Sequence, residues 1–263
     1  MDMGLRGTVA FVAAASQGLG EAIARGLARE GASVAICARR QEAIEAVAER
    51  VRRETGATIL PVRADVTDKA DIEAAIALTV ERLGGLDILV TNAGGPPAGE
   101  FSMHDDAAWQ KAFELNLLST VRMVRLALPH LQKSGRGRII NMTSTSVKQP
   151  VEGLVLSNSI RSAVIGLAKT LSVELAPHGI TVNNIAPGRF DTDRVRQLDA
   201  GRAHTLGISE EEARELAIRQ IPLGRYGLPE EMAHLAVFLA SDKAAYITGT
   251  TIQIDGGMVK SSL

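Results

Sequence analysis

The chain has 263 residues, of which 46% are hydrophobic, and its 29 basic and 30 acidic residues give a formal net charge of -1. This length and apolar content suit one large core, so we expect a single domain over residues 1–263. The balanced charge argues against nucleic-acid binding as the main function. The one cysteine, Cys37, excludes an intrachain disulfide and favours a reducing compartment. We find no signal-peptide core, and no apolar run approaches the roughly 20 residues of a membrane span, so we expect a soluble cytoplasmic protein.

Short apolar runs alternate with longer helical patterns along the chain. The predicted strands lack polar alternation, as strands buried on both faces of a parallel sheet do, and they cover residues 9–15, 34–38, 59–62, 88–90, 138–142 and 181–186. The predicted helices are rich in Ala and Glu and include residues 20–30, 41–54, 69–83, 106–132 and 152–176. This order predicts right-handed crossovers and an α/β, doubly wound parallel sheet with helices on both faces.

The first predicted strand leads into a turn that contains two glycines, and a helix follows. Backbone N–H groups and the dipole at a helix N-terminus favour a pyrophosphate. Gly18 and Gly20 let the backbone approach such a ligand and let the helix approach the sheet. An ordinary tight turn would also use two glycines, but the place after the first strand of a βαβ unit favours a dinucleotide site. The predicted contacts are Ala14, Ser16, Gln17, Gly18, Leu19 and Gly20.

The spacing of this turn resembles the TGxxxGxG loop of the short-chain dehydrogenase/reductase family, with Ala13 in place of the Thr and Ala14 in place of the first Gly. An alanine is tolerated at that turn only if its φ is negative or the loop has shifted, so we expect a slightly altered loop that still binds its ligand. Four further segments extend the resemblance over nearly the whole chain: Asp65-Val66, Thr91-Asn92-Ala93-Gly94, Pro187-Gly188 with Thr192, and residues 247–249 with 255–257.

The resemblance implies a Rossmann-type fold and an NAD(P)H-dependent oxidoreductase similar to 3-oxoacyl-carrier-protein reductases. It implies an adenine contact from Asp65 and Val66, and a contact near the nicotinamide amide from the segment that ends at Thr192. The implied cofactor contacts are Asp65, Val66, Asn92, Ala93, Gly94, Pro187, Gly188 and Thr192. The family's subunit pairing implies a homotetramer, and the expected partner is a small carbonyl or alcohol substrate rather than nucleic acid or membrane.

The end of the second strand indicates which cofactor is bound. An acidic residue there would bind the ribose 2′-OH of NAD, whereas an arginine accommodates the 2′-phosphate of NADP. The sequence has Arg39 and Arg40 directly after the strand and no carboxylate before Glu42. A guanidinium can bind a phosphate through two hydrogen bonds. We therefore predict NADP(H) rather than NAD(H), with a solvated basic pair as the alternative.

The catalytic pattern departs from the family. Hydride transfer to a carbonyl requires a proton for the forming alkoxide and donors aimed at that oxygen. In the family an Asn–Ser–Tyr–Lys set has these roles, with the last two as YxxxK on one helix. By the resemblance, Asn116 matches the Asn and Ser144 the Ser. Ser157 stands at the Tyr position and Arg161 at the Lys position, so the predicted catalytic set is Asn116, Ser144, Ser157 and Arg161.

No register shift restores a tyrosine, because the only tyrosines are Tyr226 and Tyr246, far downstream. A serine hydroxyl is a much weaker acid than a phenol, and an arginine stays protonated and cannot relay a proton. Arg161 can still hydrogen-bond the nicotinamide ribose and polarise a carbonyl, and the vacated volume has room for a water beside Ser144 and Ser157.

Three functions stay open on these patterns. The first is an NADP(H)-dependent oxidoreductase with a replaced proton donor, and the second is a non-catalytic NADP(H)-binding sensor or subunit. The third is a lyase or isomerase that uses Lys148 or Arg161. His104, at the start of the helix that carries Asn116, and His204 are further candidates, and no residue spacing suggests a metal site. Residues 188 to about 207 lack a periodic pattern, which is typical of a lid, and a substrate loop is expected at about 188–222.

Overall fold

The computed structural model of the protein describes residues 2–261. Seven strands lie within them: β1 (Val9–Val12), β2 (Ser33–Ala38), β3 (Ile59–Arg63), β4 (Ile88–Thr91), β5 (Arg138–Met142), β6 (Thr181–Pro187) and β7 (Thr251–Ile254). They form one parallel sheet in the order β3-β2-β1-β4-β5-β6-β7. The predicted doubly wound parallel sheet is therefore confirmed.

Helices cover both faces of this sheet. They are α1 (Gly18–Arg29), α2 (Gln41–Thr55), α3 (Lys69–Leu83), α4 (Asp106–Phe113), α5 (Ser119–Ser134), α6 (Val155–Glu174), α7 (Asp193–Leu206), α8 (Glu210–Ile218) and α9 (Pro229–Ala240). A π-helical turn, Glu114–Leu118, joins α4 to α5, and short 3₁₀ turns occur at Phe101–Met103, Thr145–Val147, Ala176–His178 and Asp242–Ala244. None of these helices within residues 2–261 is long and apolar enough to cross a membrane.

The apolar side chains form two layers, one on each face of the sheet. One layer joins α1, α2 and α9 to the strands, and it includes Ile23, Ile44 and Met232. The other joins α3, α5 and α6 to the opposite face, and it includes Met123. Cys37 belongs to this second layer, where burial raises the pKa of its thiol to about 12, so it is a buried thiol that stays protonated at neutral pH.

The chain reverses its winding direction between β1 and β4. It runs outward from β1 through β2 to β3, returns to place β4 on the other side of β1, and then continues outward to β7. Loops that leave the carboxyl ends of β1 and β4 therefore diverge to opposite faces and leave a crevice between them. Ligands of open α/β sheets bind in the crevice at this point.

Three sequence expectations need correction. The edge strand β7 was not predicted. Residues 193–206 are the helix α7 rather than an irregular loop, since the Thr192 side chain accepts a hydrogen bond from Val195 N–H at 3.4 Å and caps its first turn. The helix predicted at 106–132 is interrupted at its middle by the π-helical turn that carries Asn116.

Candidate active site

The turn after β1 leaves the N-terminus of α1 open toward the crevice. Gln17 precedes the helix in an extended conformation, and its side chain makes no capping hydrogen bond. The first N–H groups of α1 therefore have no side-chain cap, and this arrangement suits an anionic ligand. A methyl group at Gly20 would lie 2.6 Å from the Ala14 carbonyl oxygen, so only glycine allows α1 to approach the turn this closely.

Ala14 adopts the left-handed conformation, with φ of 48°. Of the two conditions under which an alanine was expected to be tolerated here, the negative φ is therefore not met. The residues on both sides of it are anchored, because Ala13 N–H donates to Val90 O at 3.1 Å and Ala15 N–H donates to Cys37 O at 3.0 Å. The turn between two anchored strand ends keeps the left-handed shape that a glycine would adopt without strain.

Asn92 fixes this turn from the neighbouring strand. Its side-chain Nδ2 donates to the carbonyl oxygens of Ala13 and Ala14, both at 3.2 Å. Ala93 follows it and packs against the second apolar layer. The two predicted cofactor segments, after β1 and after β4, are therefore joined by hydrogen bonds at one edge of the sheet.

The predicted adenine-side residues lie at the ends of the next two strands. Arg39 and Arg40 are exposed directly after β2, and neither makes an ion pair with a carboxylate within residues 2–261. Asp65 follows β3 and accepts hydrogen bonds from the Thr67 N–H and hydroxyl at 2.9 and 2.8 Å. Val66 beside it is buried. The two guanidiniums are thus free to meet an anion.

A second segment approaches the start of α1 from β6. Pro187 ends β6. Gly188 packs closely against Asp255, the residue after β7, so that a methyl group on Gly188 would lie 2.6 Å from Asp255 Cβ. Thr192 lies against Gly18, since a methyl group on Gly18 would be 3.4 Å from the Thr192 methyl carbon. Gly18 and Thr192 both line one open cleft. Ser16 is half-buried, Gln17 is exposed, and Leu19 packs against the first apolar layer.

Two of the predicted catalytic side chains converge on one carbonyl group. Asn116, from the π-helical turn, donates through Nδ2 to Gly94 O at 2.9 Å. Arg161, from α6, donates to the same oxygen at 3.5 Å and to Met142 O, at the end of β5, at 3.0 Å. The Oδ1 atom of Asn116 is buried and has no hydrogen-bond partner within residues 2–261. An unpartnered buried acceptor here is suited to a ligand or an ordered water.

Arg161 is a buried cation. Its side chain is 9% exposed, and burial, together with the charge of Arg194, lowers the pKa of its guanidinium to about 10. It therefore remains protonated at neutral pH. Its hydrogen bonds go to backbone carbonyls, so its charge is not neutralised by them.

The two serines of the predicted catalytic set both precede this arginine in the chain. Ser144 follows β5 by two residues, and its hydroxyl oxygen accepts a hydrogen bond from Ser146 N–H at 3.1 Å. Ser157 lies one helical turn before Arg161 on α6 and is 8% exposed. Positions four apart on a helix share one face, so Ser157 and Arg161 face the same side of α6. Asn158 beside Ser157 holds the preceding loop through hydrogen bonds with both backbone groups of Val151.

Both tyrosines lie in other parts of the protein. The Tyr226 hydroxyl donates to Asp199 at 2.7 Å, and burial together with this carboxylate raises the pKa of the phenol to about 12. Tyr246 is fully exposed after α9. Neither hydroxyl bonds to Asn116 or Ser144.

The structure also shows where the other candidate catalytic residues, His204, His104 and Lys148, lie. His204 lies on α7, so the expectation that it belongs to a loop is wrong. His104 precedes the Asp105 cap of α4 rather than starting the helix, and its Nε2 is buried near Gly99 without a hydrogen-bond partner. Lys148 is half-buried at the end of the turn that Ser144 begins. Within residues 2–261, no group of three or more His, Cys, Asp and Glu side chains is placed to hold a metal ion.

Arg194 is a site residue that the sequence patterns did not single out. It lies on the first turn of α7, two residues after Thr192, and its Nη2 donates to Pro96 O at 2.9 Å. The sequence analysis missed this residue because it did not predict α7. The capped first turn of that helix directs the Arg194 side chain back toward the loop after β4.

Comparison with known proteins agrees with this arrangement. Residues 13–259 match the family described as enoyl-(acyl carrier protein) reductase. A 3-oxoacyl-(acyl-carrier-protein) reductase of Vibrio cholerae serotype O1 is 36% identical, and the alignment covers 97% of this chain and 99% of the relative. The chain belongs to the short-chain dehydrogenase/reductase family.

Solved structures of similar proteins support the same conclusion. The L-sorbose reductase of Gluconobacter frateurii, complexed with NADPH and L-sorbose, has a TM-score of 0.94 at 32% identity, with 99% of this chain and 100% of that chain covered. A variant of the actinorhodin polyketide ketoreductase with NADPH has a TM-score of 0.93 at 34% identity, with 97% and 98% covered. The present chain thus belongs to a family of oxidoreductases and shares the fold of its NADPH-bound members.

Proposed function

We propose that this protein is an NADP(H)-dependent oxidoreductase that interconverts a ketone and a secondary alcohol without a catalytic tyrosine. Ser144, Ser157, Asn116 and Arg161 form its reaction site in this proposal. A 3-oxoacyl thioester is one candidate substrate, because several similar proteins are ketoacyl reductases by name.

The residues present fit the dinucleotide. The uncapped N-terminus of α1 and the close approach at Gly20 provide room and N–H donors for the pyrophosphate. Arg39 and Arg40 provide unpaired guanidiniums for the 2′-phosphate. The segments at Asp65, at residues 92–94, and from Pro187 to Thr192 would hold the adenine and nicotinamide ends. The nicotinamide ring, when bound, supplies or accepts the hydride.

The convergence of Asn116 and Arg161 on Gly94 O is the observation that carries the proposal. The two side chains come from different helices, and Arg161 also bonds to Met142 O, two residues before Ser144. Because β4 and β5 are parallel neighbours, their carboxyl ends bring Gly94 and Ser144 to one edge of the sheet. This convergence supports the proposal that the catalytic set chosen from the sequence meets the carbonyl substrate beside the nicotinamide.

The side chains can stabilise a developing alkoxide without supplying its proton. The Ser144 hydroxyl donates a hydrogen bond to the carbonyl oxygen, and the Arg161 cation lowers the energy of negative charge on it. Arg161 stays protonated at neutral pH, since the pKa of its guanidinium is about 10. The proton of the product hydroxyl then comes from bulk solvent through a water beside Ser144 and Ser157, and the hydroxide left by that transfer takes its proton from bulk solvent.

A matched pair of serine variants tests this role. Ser144→Ala should lower the rate of NADPH oxidation with the true substrate on the order of 10²- to 10³-fold, which is the usual effect of a lost oxyanion donor. Ser162→Ala is the control, because that hydroxyl is exposed on α6 and, within residues 2–261, bonds only to Asn158 O. The substrates tested should be a panel of β-ketoacyl thioesters, cyclic ketones and sugars. NADPH oxidation with each compound is followed by stopped-flow absorbance.

A non-catalytic NADP(H)-binding protein is the second candidate, and the absence of a phenol beside Ser144 favours it. The double variant Ser157→Tyr with Arg161→Lys decides between the two, since it places a phenol beside an ammonium on α6. The oxidoreductase proposal fails if wild type binds NADPH with micromolar affinity and reduces no carbonyl of the panel while the double variant is active.

A further inference from the structure

Two guanidinium groups approach the same short turn, residues 94–96 after β4. Arg161 donates to Gly94 O at 3.5 Å, and Arg194 donates to Pro96 O at 2.9 Å. The Arg194 group also lies along Gly95, where a methyl group would be 3.1 Å from Nη2 and 3.3 Å from Nε. The missing side chain at Gly95 thus leaves the space that the guanidinium uses.

Neither arginine has a carboxylate partner within residues 2–261. Three other arginines of the same region are paired: Arg189 with Asp199 at 2.7 Å, Arg196 with Asp191 and Asp193 at 2.6 Å, and Arg214 with Asp191 at 3.3 Å. The carboxylates of this region are therefore already engaged. Arg161 and Arg194 bond only to backbone carbonyls, which leaves two positive charges uncompensated.

Arg161 is buried, whereas Arg194 is exposed, so the pair places one uncompensated charge in the interior and one in contact with solvent. Burial lowers the pKa of both guanidiniums, and the charge of Arg194 lowers that of Arg161 further. Two like charges at one site are stabilised when an anion lies between them. A guanidinium also presents its N–H groups in a plane that matches the two oxygens of a carboxylate.

We propose that Arg161 and Arg194 together bind a carboxylate of the substrate, next to the carbonyl group that is reduced. This inference rests on the proposed function, and it narrows the substrate to a small oxo acid. The cofactor phosphates already have donors elsewhere, at the start of α1 and at Arg39 and Arg40. The two arginines instead meet at the turn to which Asn116 bonds.

The inference separates two kinds of 3-oxo substrate. A carrier-bound thioester has no carboxylate beside its ketone, so it would leave both charges uncompensated. A free oxo acid would neutralise them and would be held by two cations while Ser144 bonds to the carbonyl oxygen. The protein should therefore prefer the free acid to a neutral ester of the same acid.

The test compares Arg194→Gln with Arg202→Gln in the full-length protein. Arg202 is on the same helix and also lacks a carboxylate partner within residues 2–261, but it makes no hydrogen bond to residues 94–96. Three readouts are needed: the affinity for NADPH, the rise in melting temperature with malonate against dimethyl malonate, and KM for acetoacetate and 2-oxobutyrate against their methyl esters. Sodium chloride at equal ionic strength corrects for general salt effects.

Malonate should raise the melting temperature of wild type and of Arg202→Gln, and it should not raise that of Arg194→Gln. Arg194→Gln should increase KM for the free acids about 10- to 100-fold, as expected for a lost charge-assisted contact, and leave KM for the esters and the NADPH affinity within about twofold. An Arg194→Gln variant with weakened NADPH binding and an unchanged preference for acids would overturn the inference, because the pair would then bind a cofactor phosphate.

Equal behaviour of the two variants in all three readouts, or no effect of malonate on wild type, would also overturn it. Failure of the proposed function gives a different pattern. If no carbonyl compound is reduced while malonate still stabilises the protein through Arg194, the anion site stands and the oxidoreductase proposal falls.

Discussion

Ala14→Gly should make the protein more stable, although it removes a side chain. The left-handed conformation of an L-residue costs about 1–2 kcal/mol, and Ala14 adopts it with φ of 48°. A glycine relieves this strain, but it also increases the conformational entropy of the unfolded chain, which destabilises the folded state by about 0.4–1 kcal/mol. The net gain in the free energy of unfolding is roughly 1 kcal/mol, which corresponds to a rise of about 2–4 °C in melting temperature.

Ala13→Gly is the matched control. Ala13 is fully buried, and the neighbouring strand anchors its N–H group. The substitution removes a buried methyl group and adds the same unfolded-state freedom, so it should cost about 1–2 kcal/mol. Urea unfolding followed by circular dichroism, at one fixed protein concentration, measures both changes. If Ala14→Gly lowers the free energy of unfolding as much as Ala13→Gly does, the strain argument is wrong.

Four further predictions follow from the site and its surroundings. Gly20→Ala should weaken NADPH binding measured by fluorescence titration and destabilise the protein by about 1–3 kcal/mol, because its methyl group would lie 2.6 Å from Ala14 O. Arg39→Asp should reduce the affinity for NADPH about 10- to 100-fold more than that for NADH, and a wild type that prefers NADH would refute the cofactor assignment. Tyr226→Phe should lower the free energy of unfolding by about 1–2 kcal/mol without changing the cofactor affinity. The pKa of this phenol is raised from 10.0 to about 12 in the folded protein. The difference in unfolding free energy between wild type and Tyr226→Phe should therefore be full below pH 10 and shrink as the pH rises toward 12. Light scattering at micromolar concentration should show a tetramer or at least a dimer, and a monomer would contradict the assembly expected from the family.

The order of strands and helices could be predicted because the apolar runs are nearly uninterrupted. The prediction missed β7 because its four residues are only half-buried at the edge of the sheet, and the alternation of Ile252, Gln253 and Ile254 was the one signal available. It missed α7 because that helix is polar along most of its length and contains Gly201. Thr192 was interpreted as a cofactor contact, whereas the structure shows that it also caps this helix.

The sequence could supply candidate site residues, but it could not supply their geometry. Asn116 and Arg161 could be chosen from motif spacing, yet their common partner, Gly94 O, depends on how α6 and the π-helical turn pack over the sheet. The conformation of Ala14 was also beyond a local argument. Hydrogen bonds from its two neighbours to separate strands determine it, and those bonds exist only once the sheet has formed.

The π-helical turn that carries Asn116 restricts insertions and deletions between α4 and α5. A regular α-helix advances about 100° per residue, so deleting one residue between α4 and α5 would rotate one helix against the other by about that angle. Either Asn116 would then face away from Gly94, or α5 would turn its fully buried Met123 out of the apolar layer. Substitutions on the exposed side of these helices leave this register unchanged, whereas an insertion or deletion in Glu114–Leu118 would disrupt the site or the core.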